Sequence, residues 1–123
     1  MTAFATGRNN IVSNFAGFSS GFENKVYSNS GISSGQYNTV DGPMAGAFGY
    51  QNTVTGTGGF ALGHINKVSG TDSMALGINN EITKNYGFAA NNNTKVQANC
   101  ASAFGHGTIT SEQTDDYPGR GYA

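Results

Sequence analysis

GGFALGHINKVSGTDSMALGINNEIT, residues 58–83, states one pattern twice. Ala61 and Ala75, Gly63 and Gly77, Asn66 and Asn80, and Val68 and Ile82 each stand 14 residues apart. Carried outward, the period holds: glycine occupies 7, 21, 35, 49, 63, 77 and 105, and Asn91 fills the remaining place. Cut from residue 3, the chain falls into eight blocks: AFATGRNNIVSNFA, GFSSGFENKVYSNS, GISSGQYNTVDGPM, AGAFGYQNTVTGTG, GFALGHINKVSGTD, SMALGINNEITKNY, GFAANNNTKVQANC and ASAFGHGTITSEQT. The block positions define 14 columns. Column 3 is always Ala or Ser, and column 8 is Asn from Asn10 to Asn80 and then Thr94 and Thr108. Column 10 is Val or Ile from Val12 to Val96 and then Thr110. Four columns in register over eight blocks are a true internal repeat, and a repeat of this length marks a solenoid.

Column 5 accepts Gly and once Asn, the two residue types that most readily take positive φ. Gly7, Gly21, Gly35, Gly49, Gly63, Gly77, Asn91 and Gly105 therefore read as a sharp turn. A second, polar turn falls near columns 12–14, rich in Gly, Asn, Thr and Ser. The runs between the turns hold four or five residues, which suits strands and is too short for helices. The expected fold is all-β: about eight coils of 14 residues over 1–114, stacked as parallel strands, with 115–123 a degenerate ninth coil or a tail. At about 4.8 Å per coil the stack is roughly 38 Å long.

Alternation along each strand sorts the columns into faces. Columns 3, 8 and 10 are read as a thin interior: Val12, Val26, Val40, Val54, Val68, Ile82 and Val96 beside Asn24, Asn38, Asn52, Asn66 and Asn80. The asparagine amides can satisfy turn backbone groups and stack as a ladder. Columns 9 and 11 hold Lys25, Lys67, Glu81, Lys95 and Asp41 and must meet solvent. Columns 2 and 4 point away from the interior yet carry Phe4, Phe18, Ile32, Phe48, Phe60, Leu62, Met74, Leu76, Phe88 and Phe104. An outward apolar stripe of that length marks an interface, so self-association along a common axis is expected.

Bulk composition narrows the function classes. Charged residues make up 11% of the 123 and the formal net charge is -1, which gives no footprint for nucleic acid. The 8 Phe and 6 Tyr argue against a disordered polar segment. Cys100 is the one cysteine, so neither an internal disulfide nor a thiolate zinc cage is possible within a chain. No run approaches the roughly 20 apolar residues of a membrane span. MTAFATGRNN shows no signal-peptide pattern, and no membrane insertion is expected of this segment.

The chain resembles the head domains of trimeric autotransporter adhesins (YadA-like heads), whose 14-residue coils carry a motif of the type SxAxG followed by NxVxG. The likeness is strongest in residues 58–83 and extends from 3 to about 114. Similar repeats occur in bacteriophage tail fibres. The resemblance implies a left-handed parallel β-roll, three chains packed side by side, and attachment to a host surface. It therefore implies a surface-exposed location, on a virion tail fibre or a bacterial cell, and a host glycan or protein receptor as partner. Here no coiled-coil stalk, neck or membrane anchor follows the repeats, and the aromatics Phe22, Tyr27, Tyr37 and Tyr50 are heavier than such a head leads one to expect.

No catalytic, metal or cofactor pattern emerges. His64 and His106 share column 6 but lie three coils apart, roughly 14 Å. Asp115 and Asp116 are adjacent, a poor acid–base arrangement because neighbours on a strand face opposite ways. No GxxxxGK[ST] phosphate loop and no GGxGxD calcium repeat is present. The aromatics off the stripe are Phe15, Phe22, Tyr27, Tyr37, Tyr50 and Tyr86. Of these, Tyr27, Tyr37 and Tyr50 are the candidates for ligand contact, since tyrosine joins an apolar body to a polar tip. The expected function is a non-catalytic attachment or fibre module. Two other readings are a spacer without its own ligand and the repeat segment of a self-cleaving phage appendage.

Overall fold

The computed structural model describes residues 2–111, so the expected ninth coil and the Asp115–Asp116 pair lie outside the described residues. Each coil contributes a strand of five residues and a strand of two or three. The long strands are β1 (Phe4–Arg8), β3 (Phe18–Phe22), β5 (Ile32–Gln36), β7 (Gly46–Tyr50), β9 (Phe60–His64), β11 (Met74–Ile78), β13 (Phe88–Asn92) and β15 (Ser102–His106). The short ones are β2 (Ile11–Val12), β4 (Lys25–Val26), β6 (Thr39–Val40), β8 (Thr53–Val54), β10 (Lys67–Val68), β12 (Glu81–Ile82), β14 (Lys95–Gln97) and β16 (Ile109–Ser111). Odd strands form one parallel eight-stranded sheet in chain order and even strands form the other. Every long pair aligns residues 14 apart, as in Ser33↔Ala47 and Ala47↔Ala61. The chain is thus a parallel β-solenoid of about eight coils with 14 residues each.

The second strand is shorter than the four or five residues expected from the sequence. Only columns 9 and 10 pair regularly in most coils, because two turns share the remaining residues. The structure also moves the first turn. Gly7, Gly21, Gly35, Gly49, Gly63, Gly77, Asn91 and Gly105 do have positive φ, between 96° and 121°, but all lie inside the long strands. The chain bends two residues later. In column 7, Asn9, Glu23, Tyr37, Gln51, Ile65, Asn79 and Asn93 take left-handed φ of 53–59°, and Gly107 takes 70°. Each of these N–H groups from the second coil on donates to the column 6 carbonyl of the coil before, as Tyr37 does to Phe22 (3.0 Å) and Gln51 to Gln36 (2.9 Å). Column 14 repeats the device at the second turn, with Ser30 bonding back to Phe15 (2.8 Å). A left-handed non-glycine residue costs roughly 1–2 kcal/mol, and these inter-coil bonds offset it.

Column 5 needs glycine for closeness as well as for φ. A Cβ built on Gly49 falls far inside contact distance of the Gly63 carbonyl oxygen, and the glycines before it in the series meet the next coil in the same way. The backbone there sits where a side chain would otherwise be.

The interior is narrow and half polar. Val26, Val40, Val54, Val68, Ile82 and Val96 are fully buried against Ala47, Ala61, Ala75, Ala89 and Ala103 from the long strands. Val12, in the first coil, is only partly buried. Asn24, Asn38, Asn52, Asn66 and Asn80 are buried beside them. Asn52 shows the ladder's unit: its main-chain N–H donates to Asn38 Oδ1 (3.0 Å), and its Nδ2 donates to the carbonyls of Phe48 (3.0 Å) and Gly63 (2.8 Å). Its own Oδ1 accepts from the Asn66 N–H (3.0 Å). One amide thereby ties three successive coils and takes up carbonyls on either side of the positive-φ kink. Thr94 ends the run, its N–H and hydroxyl both donating to Asn80 Oδ1 (2.9 and 2.7 Å). Most buried polar groups are bonded, and in the asparagine ladder the bonding itself transmits the register.

Candidate functional site

With columns 1, 3, 8 and 10 turned inward, side chains of columns 2, 4 and 6 stand on the outer face of the long-strand sheet. Column 2 runs Phe4, Phe18, Ile32, Gly46, Phe60, Met74, Phe88 and Ser102, and column 4 runs Thr6, Ser20, Ser34, Phe48, Leu62, Leu76, Ala90 and Phe104. No charged residue occurs in either column. Phe4, Phe18, Ile32, Leu62, Met74 and Phe104 are exposed, whereas Phe48, Phe60, Leu76 and Phe88 are half-buried. The rings lean on one another between coils: Phe4 stacks on Phe18 (5.4 Å between centroids, 8° between planes), Phe48 tilts against Phe60 (5.2 Å), and Phe88 against Phe104 (5.4 Å). Phe48 and Phe60 close over Gly46, where a Cβ would lie 2.6 Å from Phe60 Cε2, so Gly46 is buried on an otherwise open face. The bulk of the stripe sits in column 2 for three coils, crosses to column 4 in the fourth, and fills both columns in the fifth and sixth.

A second track follows the edge of the same sheet, where column 6 meets the column 7 turn. The Arg8 guanidinium lies over the Phe22 ring (5.6 Å). Phe22 meets Tyr37 edge-to-face (5.4 Å, 86°), Tyr37 meets Tyr50 (5.8 Å, 87°), and Tyr50 meets His64 (6.1 Å, 66°). Tyr37 belongs to column 7; its left-handed φ swings it beside the column 6 rings of the coils above and below. The sequence reading grouped Tyr27 with Tyr37 and Tyr50, and the structure separates them. Tyr27 stands in column 11 on the opposite side of the coil, just after β4, while Tyr37 and Tyr50 belong to one continuous run. Phe22, His64 and Arg8 complete that run. Their shared place in column 6 was the available signal, which the assumption of a turn at column 5 obscured.

The remaining candidates do not converge. His64 and His106 stay three coils apart on the same edge. Cys100 is free and exposed at the second turn. Lys25, Lys67, Glu81 and Lys95 lie on the outer face of the short-strand sheet, with Glu81 in register between Lys67 and Lys95. Among the described residues no group of three His, Cys, Asp or Glu could hold a metal ion, and no cleft or cavity opens. What the chain offers is long surface tracks on a stiff rod. No protein-family model matches the chain, and a search of curated proteins finds no match.

Proposed function

We propose that the chain is a left-handed β-roll that assembles side by side with two copies of itself and serves as a non-catalytic attachment or fibre module. The module is an adhesin head or a segment of a virion tail fibre, exposed on a bacterial or virion surface and presented to host receptors. One observation carries the reading: on the outer face of the long-strand sheet, columns 2 and 4 form an uncharged ladder of Phe, Leu, Ile and Met along the whole stack. Over eight coils, the three residues from column 2 to column 4 give that ladder roughly 38 Å by 10 Å, on the order of 400 Å². This lies within the about 300–600 Å² of the largest apolar patches on ordinary monomers, which are often functional. Three such faces turned to one axis cover the ladder and leave the charged short-strand sheet and both turn edges outside. Repetition along a rigid rod then multiplies weak receptor contacts.

The experiment is the mass of the folded protein by light scattering on a sizing column. Three chains, stable to dilution, are expected. Leu62→Glu together with Leu76→Glu places two charges in the middle of the ladder and is expected to yield a folded single chain. A wild-type protein that runs as one chain refutes the assembly.

A further inference from the structure

We infer that the edge track running from Arg8 to His64 is a binding site for a linear oligosaccharide lying along the solenoid axis. The inference rests on the attachment reading above and not on the number of copies in the assembly.

The two apolar tracks differ in chemistry, and the difference points to their occupants. Columns 2 and 4 offer hydrocarbon with a few small hydroxyls, a surface suited to its own like. The edge interleaves rings with strong polar groups. Between Phe22 and Tyr50, both in column 6, stands the exposed side chain of Gln36; Gln51 follows Tyr50 in the turn. Arg8 lies at one end and His64 at the other. Aromatic faces for the C–H side of a sugar, with amide and guanidinium donors for its hydroxyls, are what pyranose recognition requires, and a purely hydrophobic partner has no use for the second set.

Geometry supports an extended chain of sugars. Phe22 and Tyr50 are two coils apart, about 9.6 Å at the inter-strand spacing, close to the length of two linked pyranose rings. Tyr37 stands between them at right angles to both rings (86° and 87°) and wedges them at that separation. The turn beneath is stiff, because the Tyr37 and Gln51 N–H groups are tied to the carbonyls of Phe22 and Gln36. Tyr37 and Tyr50 keep 40% and 37% of their surface exposed despite these contacts, so coil-to-coil packing does not consume them. A preformed platform spares the ligand the cost of ordering it.

The test is calorimetric titration of the full chain with linear hexasaccharides of β-1,4-glucose, β-1,4-N-acetylglucosamine, α-1,4-glucose and β-1,4-mannose, and with the matching disaccharides. At least one hexasaccharide is expected to bind, more tightly than its disaccharide. Phe22→Ala and Tyr50→Ala are each expected to weaken it about tenfold, as for a ring at the centre of a contact, while Tyr27→Ala changes nothing. Light scattering on the same samples separates the two readings. Failure of every hexasaccharide to bind a folded wild type overturns the site and leaves the assembly standing. Equal binding by the Phe22→Ala, Tyr50→Ala double variant also overturns it. A double variant that loses its assembly mass assigns the track to contact between copies and overturns the inference as well.

Discussion

Asn52→Ala removes one rung from the middle of the amide ladder and tests whether hydrogen bonds rather than apolar burial hold this rod together. The substitution deletes the Nδ2 bonds to the Phe48 and Gly63 carbonyls and the Oδ1 acceptor of the Asn66 N–H. Two carbonyls and one N–H, enclosed between coils, lose that partner. The Asn66 N–H is left without a bond, at about 1–3 kcal/mol, and the two carbonyls, paired between β7 and β9, each lose a second bond worth about 0.5–1.5 kcal/mol, so the range is roughly 2–6 kcal/mol. Water can enter the vacated amide site and bridge part of the loss, which brings the expected destabilisation to about 3 kcal/mol. That is a large fraction of the 5–15 kcal/mol that usually holds a domain folded.

The assay is urea unfolding followed by circular dichroism, wild type and variant at the same protein concentration, because the proposed assembly would couple to stability. Asn52→Thr supplies an internal control. In the last coil the Thr108 hydroxyl donates to the Phe104 carbonyl (2.7 Å), the equivalent of the Asn52–Phe48 bond, so threonine is expected to recover part of the loss. A cost for Asn52→Ala below about 1 kcal/mol, no more than one ordinary hydrogen bond, refutes the argument that the ladder carries the fold.

Other outcomes follow from the same contacts. Ser33→Ala is expected to stabilise by about 1 kcal/mol, because the Ser33 hydroxyl is fully buried with no partner and alanine fills the same column in six other coils; the urea midpoint rises, and a fall counts against the reading. Ser19→Ala is expected to act alike, since both hydroxyls are in the same state. Gly49→Ala sets a methyl group against the Gly63 carbonyl in backbone already at φ +118°, and a loss of more than about 3 kcal/mol, from left-handed strain plus overpacking, is expected in the same titration. A cost under about 1 kcal/mol shows that the coils can move apart, contrary to the close approach argued here.

The repeat, the stacking and the inward columns were legible because each coil solves the same packing problem with the same residue types. Val or Ile in column 10 and Ala or Ser in column 3 touch their own equivalents 14 residues away, so any departure is felt by two neighbours. The bends were not legible. Column 7 holds Glu23, Tyr37, Gln51 and Ile65, residues that seldom signal left-handed backbone, and what stabilises them there is a main-chain bond to the preceding coil that no side chain records. Glycine in column 5 therefore drew the turn two residues too early, and its true cause, the neighbouring carbonyl, became visible only with the coils stacked. That displacement also hid the edge track. With the turn at column 5, Phe22 and His64 belong to a loop; with the strand extended through column 6, they fall in line with Arg8 and Tyr50.

The division between interior and surface explains how so thin a fold can carry a specific one. An interior of Val, Ala and Asn has little volume with which to distinguish one coil from the next, and every coil uses nearly the same set. Specificity has to come from columns that the ladder leaves free. In columns 2 and 4 the large group sits in column 2 at Phe4, Phe18 and Ile32, crosses to Phe48 over the buried Gly46, and widens to both columns at Phe60 and Leu62. In the proposed assembly a copy displaced by one coil would set the Gly46 step against the wrong partner, so the sequence of large and small groups would favour the aligned pairing. In columns 6 and 7 the same freedom places rings and amides in one unbroken line. The amide ladder fixes the register of the coils and leaves the outer columns free, so the apolar face of columns 2 and 4 can differ in chemistry from the ring-and-amide edge of columns 6 and 7.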